Sequence, residues 1–176
     1  MLIKWDQLVS AWLRSWQNPH IGWLMYGLSA AVDYGFWHLL TLYFLAKKDK
    51  TGFWYLGNLL FSSLLQQGIL KRVFGRLRPC QIQVGVAFLG ACPLDYSFPS
   101  GHATISFAAA TFLFWLNRKL GIFAYLLAGL VAYSRVYLGV HYLGDITVGA
   151  LLGCLLATLC YKLMKKTENK NKGIVK

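Results

Sequence analysis

Apolar residues gather along this chain into five long blocks separated by short polar stops, the pattern of helices that cross a bilayer. Crossing the ~30 Å hydrocarbon layer takes roughly 20 predominantly apolar residues. The blocks predict spans at about 21–46, 52–70, 100–117, 120–138 and 143–164. The first ends at Lys47-Lys48-Asp49-Lys50, the second at Lys71 and the third at Asn117-Arg118-Lys119. A polar loop with Gly and Pro, from about Pro79 to Pro99, joins the second span to the third. The lysine-rich tail after Met164 is expected to be disordered.

Residues 2–16 follow a different pattern. Leu2, Trp5, Val9, Trp12, Leu13 and Trp16 share one helical face, while Lys4, Gln7, Ser10 and Arg14 lie elsewhere. Three tryptophans on the apolar face favour a helix lying in the membrane interface over one packed by that face on the protein. Asn18-Pro19 then breaks the pattern. The expected architecture is an all-α integral membrane helical bundle, with five transmembrane helices and an N-terminal interfacial helix. It reads as one domain over 1–176: 1–19 interfacial, 20–164 the bundle and 165–176 a basic cytoplasmic tail. There is no internal repeat or interdomain linker. No cleavable signal peptide is evident, so the first span is expected to direct insertion.

Composition agrees. Of 176 residues, 57% are hydrophobic and 14% charged, against about 25% charged in soluble domains. The net charge of +12 raises nucleic acid as a partner. That reading fails, because the positive residues sit in short clusters beside apolar spans and no nucleic-acid motif is present. Five spans put Lys47, Lys48, Lys50, Arg118, Lys119, Lys162, Lys165, Lys166, Lys170, Lys172 and Lys176 on one side. Lys4, Arg14, Lys71, Arg72, Arg76, Arg78 and Arg135 fall on the other, eleven against seven. The positive-inside rule then predicts a cytoplasmic C-terminus. If residues 1–19 crossed the membrane instead of lying on it, the N-terminus would move inside and the opposite face would stay outside.

That outer face receives three motifs. Lys71 and Arg78-Pro79 are seven residues apart, so a continuing helix sets both cations on roughly one face. Arg78 offers a planar fork to phosphate oxygens and Lys71 a mobile point charge. Pro79 is expected to end the helix. Pro99-Ser100-Gly101-His102 opens the third span, where a helix N-terminus presents N–H groups to an anion. Gly101 allows close backbone approach, the Ser100 hydroxyl can donate, and His102 stands where it can protonate a leaving oxygen. In Ser134-Arg135, His141 and Asp145, the histidine and aspartate are four apart and neighbours on a helix. A carboxylate on one imidazole nitrogen frees the other as a nucleophile or base. Each motif alone has an ordinary reading: headgroup contact, a capped helix, interfacial hydrogen bonding.

Together the spacings resemble the three-part motif of the type 2 phosphatidic acid phosphatase family, lipid phosphatases related to the vanadium haloperoxidases. Every motif position from Lys71 to Asp145 is filled. The resemblance implies a phosphohistidine on His141, oriented by Asp145, with His102 as general acid. Lys71, Arg78, Ser100, Gly101 and Arg135 would hold the phosphoryl oxygens. It implies no metal or other cofactor, and the sequence has no carboxylate cluster suited to Mg²⁺. The partner is a membrane lipid, with no obligate protein partner evident. The whole chain looks most like small bacterial members, which favours lipid A 1-phosphate, with undecaprenyl diphosphate, phosphatidylglycerophosphate and phosphatidic acid after it. The location implied is the bacterial inner membrane with the site facing the periplasm. Two rivals are a phosphotransferase using the same histidine and a non-enzymatic lipid-binding or transport protein. A transporter should carry a polar stripe through the bilayer, whereas these polar residues gather at one face.

Remaining features are read as structural. Cys80 and Cys92 share the outer loop, where a disulfide and two free thiols are both open. Cys154 and Cys160 are expected to be packing residues. Asp33 and His38 are assigned to hydrogen bonding within the bundle, with Gln66 and Gln67 as partners. Gly149 and Gly153 form a small-xxx-small pair suited to close helix packing.

Overall fold

The computed structural model describes residues 2–33, 35–82, 89 and 91–174, with backbone alone at 2, 3 and 172–174. Leu2 of the amphipathic face, and Lys172 and Lys176 of the charge count, therefore lie outside the described side chains. The described residues form helices and connections, with no strand among them.

Helix α1 spans Leu2–Arg14 and is inverted relative to a surface helix of a soluble protein. Its Ser10 and Arg14 are buried and its Asp6 and Gln7 half-buried, all turned to the protein. Trp5, Leu8, Trp12 and Trp16 are 60–67% exposed. The apolar face is therefore not the packed face.

The expected first span divides in two. Helix α2 runs Pro19–Asp33, and α3 runs His38–Ala46. Gly35 makes the break at φ 85°, a left-handed conformation that favours glycine. Trp37 fixes it: its ring is 3% exposed and its indole N–H donates to Ser106 Oγ at 2.9 Å. The second block is one helical run in three parts. Helix α4 (Thr51–Leu64) continues through a π-helical segment (Leu65–Leu70) into α5 (Lys71–Phe74). Gly75, at φ 57°, ends it, and the short α6 spans Pro79–Ile82.

Helix α7 (Gly101–Leu116) is the centre of the bundle, flanked by α8 (Arg118–Tyr137), α9 (Leu143–Ile174) and α4. Its Ala103, Ala108, Ala109 and Ala110 are fully buried, so neighbouring backbones come close. Gly149 and Gly153 meet it as expected of a small-xxx-small pair. A Cβ on Gly153 would stand 2.3 Å from Thr104 O, and one on Gly149 2.7 Å from Ser100 O. Toward the other end, Trp37, Tyr55, Leu59, Phe112, Leu113 and Met164 make the main apolar core. Cys160 packs against it, its thiol 3.5 Å from Trp54 O, and Cys154 lies 3.9 Å from the Tyr125 hydroxyl.

The tail is a correction. Helix α9 continues to Ile174, where disorder was expected after Met164. Extending an existing helix needs no new nucleus, and Lys165 Nζ meets Glu168 at 2.8 Å on its surface. Among the described residues, α8 and the Leu143–Asn171 part of α9 are long and apolar enough to cross a membrane. Helix α7 is apolar but shorter. The large apolar side chains left exposed on α2, α4, α8 and α9, such as Trp23, Phe53, Phe123 and Leu151, face away from the core.

Gly153→Ala is expected to lower stability by about 1–3 kcal/mol through overpacking. Gly57→Ala, with nothing within 4 Å of the new Cβ, should leave it unchanged or raised; thermal unfolding of both in detergent checks this.

Candidate active site

His141 lies in the connection between α8 and α9, 1% exposed. It is therefore not on a helical face with Asp145, as the four-residue spacing predicts. Gly139, at φ 73°, turns the chain after α8, and the ring still reaches the carboxylate, Nδ1 to Asp145 Oδ2 at 3.4 Å. Arg78 Nη1 stands 2.9 Å from Nε2. A guanidinium only donates, so Nε2 accepts and the ring proton sits on Nδ1. That proton faces Asp145 and Ser97 Oγ, the latter at 3.3 Å. Burial first, then the charges of Arg78, Arg135 and Lys71, hold the His141 pKa well below its ordinary value. The ring is neutral at neutral pH, with its basic nitrogen toward the cations.

Asp145 is fully buried in the first turn of α9 and heavily partnered. Oδ2 accepts from the Ser97 hydroxyl and from the Tyr142 N–H at 2.9 Å. Oδ1 accepts from Arg76 Nη1 at 2.7 Å. The other Arg76 nitrogen donates to Asp6 Oδ2 at 2.7 Å, and the guanidinium stacks over the Tyr142 ring at 4.0 Å. Asp6 Oδ1 and Ser10 Oγ also accept the N–H groups of Gly144 and Leu143, both at 2.8 Å. Helix α1 thus caps α9 and, through Arg76, holds the carboxylate beside His141.

Lys71 and Arg78 do converge, but not on one helix face. The helix stops at Phe74, and the left-handed Gly75 returns the chain so that Arg78 comes back beside Lys71. Pro79 opens the next short helix instead of ending the previous one. Between the cations sits Asp95. Its carboxylate accepts from Lys71 Nζ and from Arg78 Nη2 at 2.6 Å, and its carbonyl from Arg78 Nε at 2.9 Å. Burial pushes the Asp95 pKa up, but the Lys71 hydrogen bond and the Arg78 charge outweigh this and hold it well below the usual carboxylate range.

The second motif opens α7 after a cis Phe98–Pro99 peptide. Ser100 sits at the helix start with its N–H on Asp145 O at 3.1 Å. Its hydroxyl is buried with no hydrogen-bond partner among the described residues, as is Arg135 Nε. Both donors fit an anion site. The space beside Gly101 belongs to Gln66: a Cβ there would stand 2.9 Å from Gln66 Oε1, whose amide nitrogen donates to Pro99 O at 2.7 Å. Gly101 thus admits a side chain of the π-helical segment. His102 Nε2 meets Asp33 Oδ1 at 3.0 Å and Ser29 Oγ at 3.4 Å, and Ser29 accepts from Arg135 Nη1.

Asp33 hydrogen-bonds within the bundle as expected, but to His102 and not to Gln66 or Gln67. It holds His102, while Gln67 donates to Asp95 at 3.1 Å. Sequence reasoning missed Asp95, Ser97, Arg76, Asp6, Ser29 and the role of Asp33. One signal was available. The chain has only six acidic residues, and Asp6, Asp33, Asp95 and Asp145 each contact a motif residue or its partner. Cys80 and Cys92 form a disulfide beside this site, Cα to Cα 6.0 Å. Among the described residues, no three His, Cys, Asp or Glu side chains converge as a metal site.

Residues 52–169 match the model of the PAP2 superfamily. A lipid A 4'-phosphatase of Bacteroides thetaiotaomicron is 38% identical over 113 residues, covering 60% of this chain and 50% of that protein. An undecaprenyl-diphosphatase of Sulfolobus acidocaldarius is 40% identical over 111 residues, covering 60% and 54%. The chain spans about half the length of these curated relatives. The crystal structure of a transmembrane PAP2 type phosphatidylglycerolphosphate phosphatase from Bacillus subtilis superposes with a TM-score of 0.77 at 27% identity, covering 94% of this chain and 87% of that one.

Arg76→Ala leaves the buried Asp145 carboxylate without its cation, so a loss of roughly 3–5 kcal/mol is expected. Arg76→Lys retains the charge but cannot bridge both carboxylates and should fall between. Unfolding of the two variants in detergent measures the difference.

Proposed function

The chain belongs to the PAP2 superfamily, and we propose that it is a membrane lipid phosphatase acting through His141. The observation that carries this reading is the poise of the imidazole. Its Nδ1–H faces Asp145 and its Nε2 lone pair faces Arg78. A phosphoryl group held by Lys71, Arg78, Arg135, the Ser100 hydroxyl and the start of α7 lies in front of Nε2. Phosphoryl transfer depends mainly on positioning and charge stabilisation, and these groups supply both.

Nε2 attacks phosphorus and the bond to the leaving oxygen breaks, that oxygen taking a proton from His102. The Asp145 carboxylate stabilises the positive charge that develops on the ring, which keeps its Nδ1 proton. Water then attacks the phosphohistidine, giving a proton to His102; the P–N bond breaks and inorganic phosphate leaves. Asp33 orients the His102 ring throughout.

The substrate class is a lipid phosphomonoester or diphosphate at the outer face of the bacterial inner membrane. Lipid A phosphate comes first and undecaprenyl diphosphate second. The names of the relatives support that class, and the lysine count supports a cytoplasmic C-terminus. The outward tryptophans of α1 support a helix seated in the interface.

Phosphate release by detergent-purified protein with chelator present tests the reading. The panel is lipid A phosphorylated at the 1- or 4'-position, undecaprenyl diphosphate, phosphatidylglycerophosphate and phosphatidic acid. Wild type is expected to release phosphate and His141→Ala none above background. Ser100→Ala should lose about 10²–10³-fold in kcat, as for other preorganised anion donors. Equal release from wild type and His141→Ala removes the histidine from the chemistry.

A further inference from the structure

The polar face of α1 does the docking and its apolar face is left over. Asp6 accepts from the Gly144 N–H and from Arg76, Ser10 accepts from the Leu143 N–H, and Gln7 hydrogen-bonds Tyr142. Leu13 adds a contact with the small cluster of Ala132, Val136 and Ile146. Trp5, Leu8, Trp12 and Trp16 remain exposed. The far end of the helix is tied down separately. Gln17 Nε2 donates to Tyr137 O, and the Asn18 N–H donates to the Tyr137 hydroxyl. Asp6 lies roughly 15 Å from that tie along the helix.

Asp6 touches no reacting group. It acts through Arg76, whose guanidinium spans Asp6 Oδ2 and Asp145 Oδ1 at 2.7 Å to each. Asp145 is fully buried, whereas the Arg76 side chain is 23% exposed and lies at the rim. With α1 undocked, Arg76 has water on the rim side and one carboxylate instead of two. The Leu143 and Gly144 N–H groups at the start of α9 lose their acceptors with it. One Asp145 oxygen then rests on a cation free to turn outward, while the other faces the Nδ1 proton of His141. The angle of the carboxylate to the imidazole is set in part from α1.

Polar contacts at a protein surface compete with water and hold a helix weakly. Large apolar side chains buried in a lipid interface hold it far more firmly. Resting on the phosphatase reading of this site, we propose that α1 is a lipid-seated positioning helix: Asp6 is a positioning residue for the reaction, and insertion of Trp5, Leu8, Trp12 and Trp16 into the lipid interface keeps it on Arg76. The partner surface is the headgroup boundary of the leaflet, where tryptophan is enriched. The bundle places α1 at that depth. Helices α8 and α9 are long and apolar enough to cross a membrane, and α1 docks where the first ends and the second begins, at Tyr137, Leu143 and Gly144. Turnover then depends on the bilayer surface and not only on the lipid that reacts.

The test uses the full chain in phospholipid nanodiscs and a water-soluble phosphomonoester, phenyl phosphate, so that delivery of a lipid substrate does not enter. Asp6→Asn keeps one acceptor but not the charge. It should lower kcat roughly tenfold with KM unchanged, as for other outer groups that orient a functional side chain. Asp6→Glu should recover part of the loss. Trp5→Gln/Trp12→Gln/Trp16→Gln should lower kcat by a similar factor, and adding Asp6→Asn to it should cost little more, because both act on one contact. The same triple variant should speed hydrogen exchange in the peptide holding Leu143 and Gly144, with helical content retained. If it does not fold, Trp12→Gln alone should show both changes, smaller. In a protein active as wild type, unchanged kcat or unchanged exchange in the tryptophan variants overturns the proposal, as do losses that multiply. Faster exchange in a protein whose wild type releases no phosphate from phenyl phosphate or any lipid keeps the lipid seating of α1 and fails the phosphatase reading.

Discussion

A charge buried inside a protein must be met by an opposite charge or by directed hydrogen bonds, and Asp145 shows how far that requirement reaches. Its carboxylate is fully buried, so three separate parts of the chain come to it. Arg76 arrives from the loop after α5, Ser97 from the segment before α7, and the Tyr142 N–H from its own connection. Arg76 in turn needs a second anion, which α1 provides in Asp6. Helix α1, two loops and the start of α9 are thus joined by one electrostatic constraint. His141 is positioned as a consequence, packed among the groups that satisfy its neighbour.

The apolar packing makes this arrangement possible. Helix α7 is lined with alanine, and α9 meets it through Gly149 and Gly153, so two backbones approach within contact of each other. That closeness brings the Ser100 N–H to the Asp145 carbonyl and sets the second and third motifs side by side. Two local irregularities complete the site. The break at Gly35 ends α2 at Asp33, where its carboxylate meets His102. The π-helical segment ahead of Lys71 places Gln66 against Gly101 and Gln67 against Asp95, in keeping with the frequent appearance of such turns at functional sites.

The polar groups form two linked sets. One joins Lys71, Arg78, Asp95, His141 and Asp145; the other joins Arg135, Ser29, His102 and Asp33. The charge of Arg135 acts on the His141 ring, so the sets belong to one electrostatic site.

The sequence by itself determined the helical class, the apolar blocks, the amphipathic character of α1 and the three motifs with their candidate roles. Those depend on composition and short-range period, which are properties of the chain alone. It misjudged where helices stop. Gly35 ends a helix that the apolar pattern would continue, and Gly75 one that the spacing of Lys71 and Arg78 would continue, whereas the lysine tail extends one, because a helix already formed propagates through polar residues. Only the tertiary structure decided the partners. Asp6, Asp33 and Asp95 lie 70, 69 and 17–24 residues from the side chains they meet, and no local rule relates positions so far apart. Burial made those pairings necessary, and burial exists only once the bundle has closed.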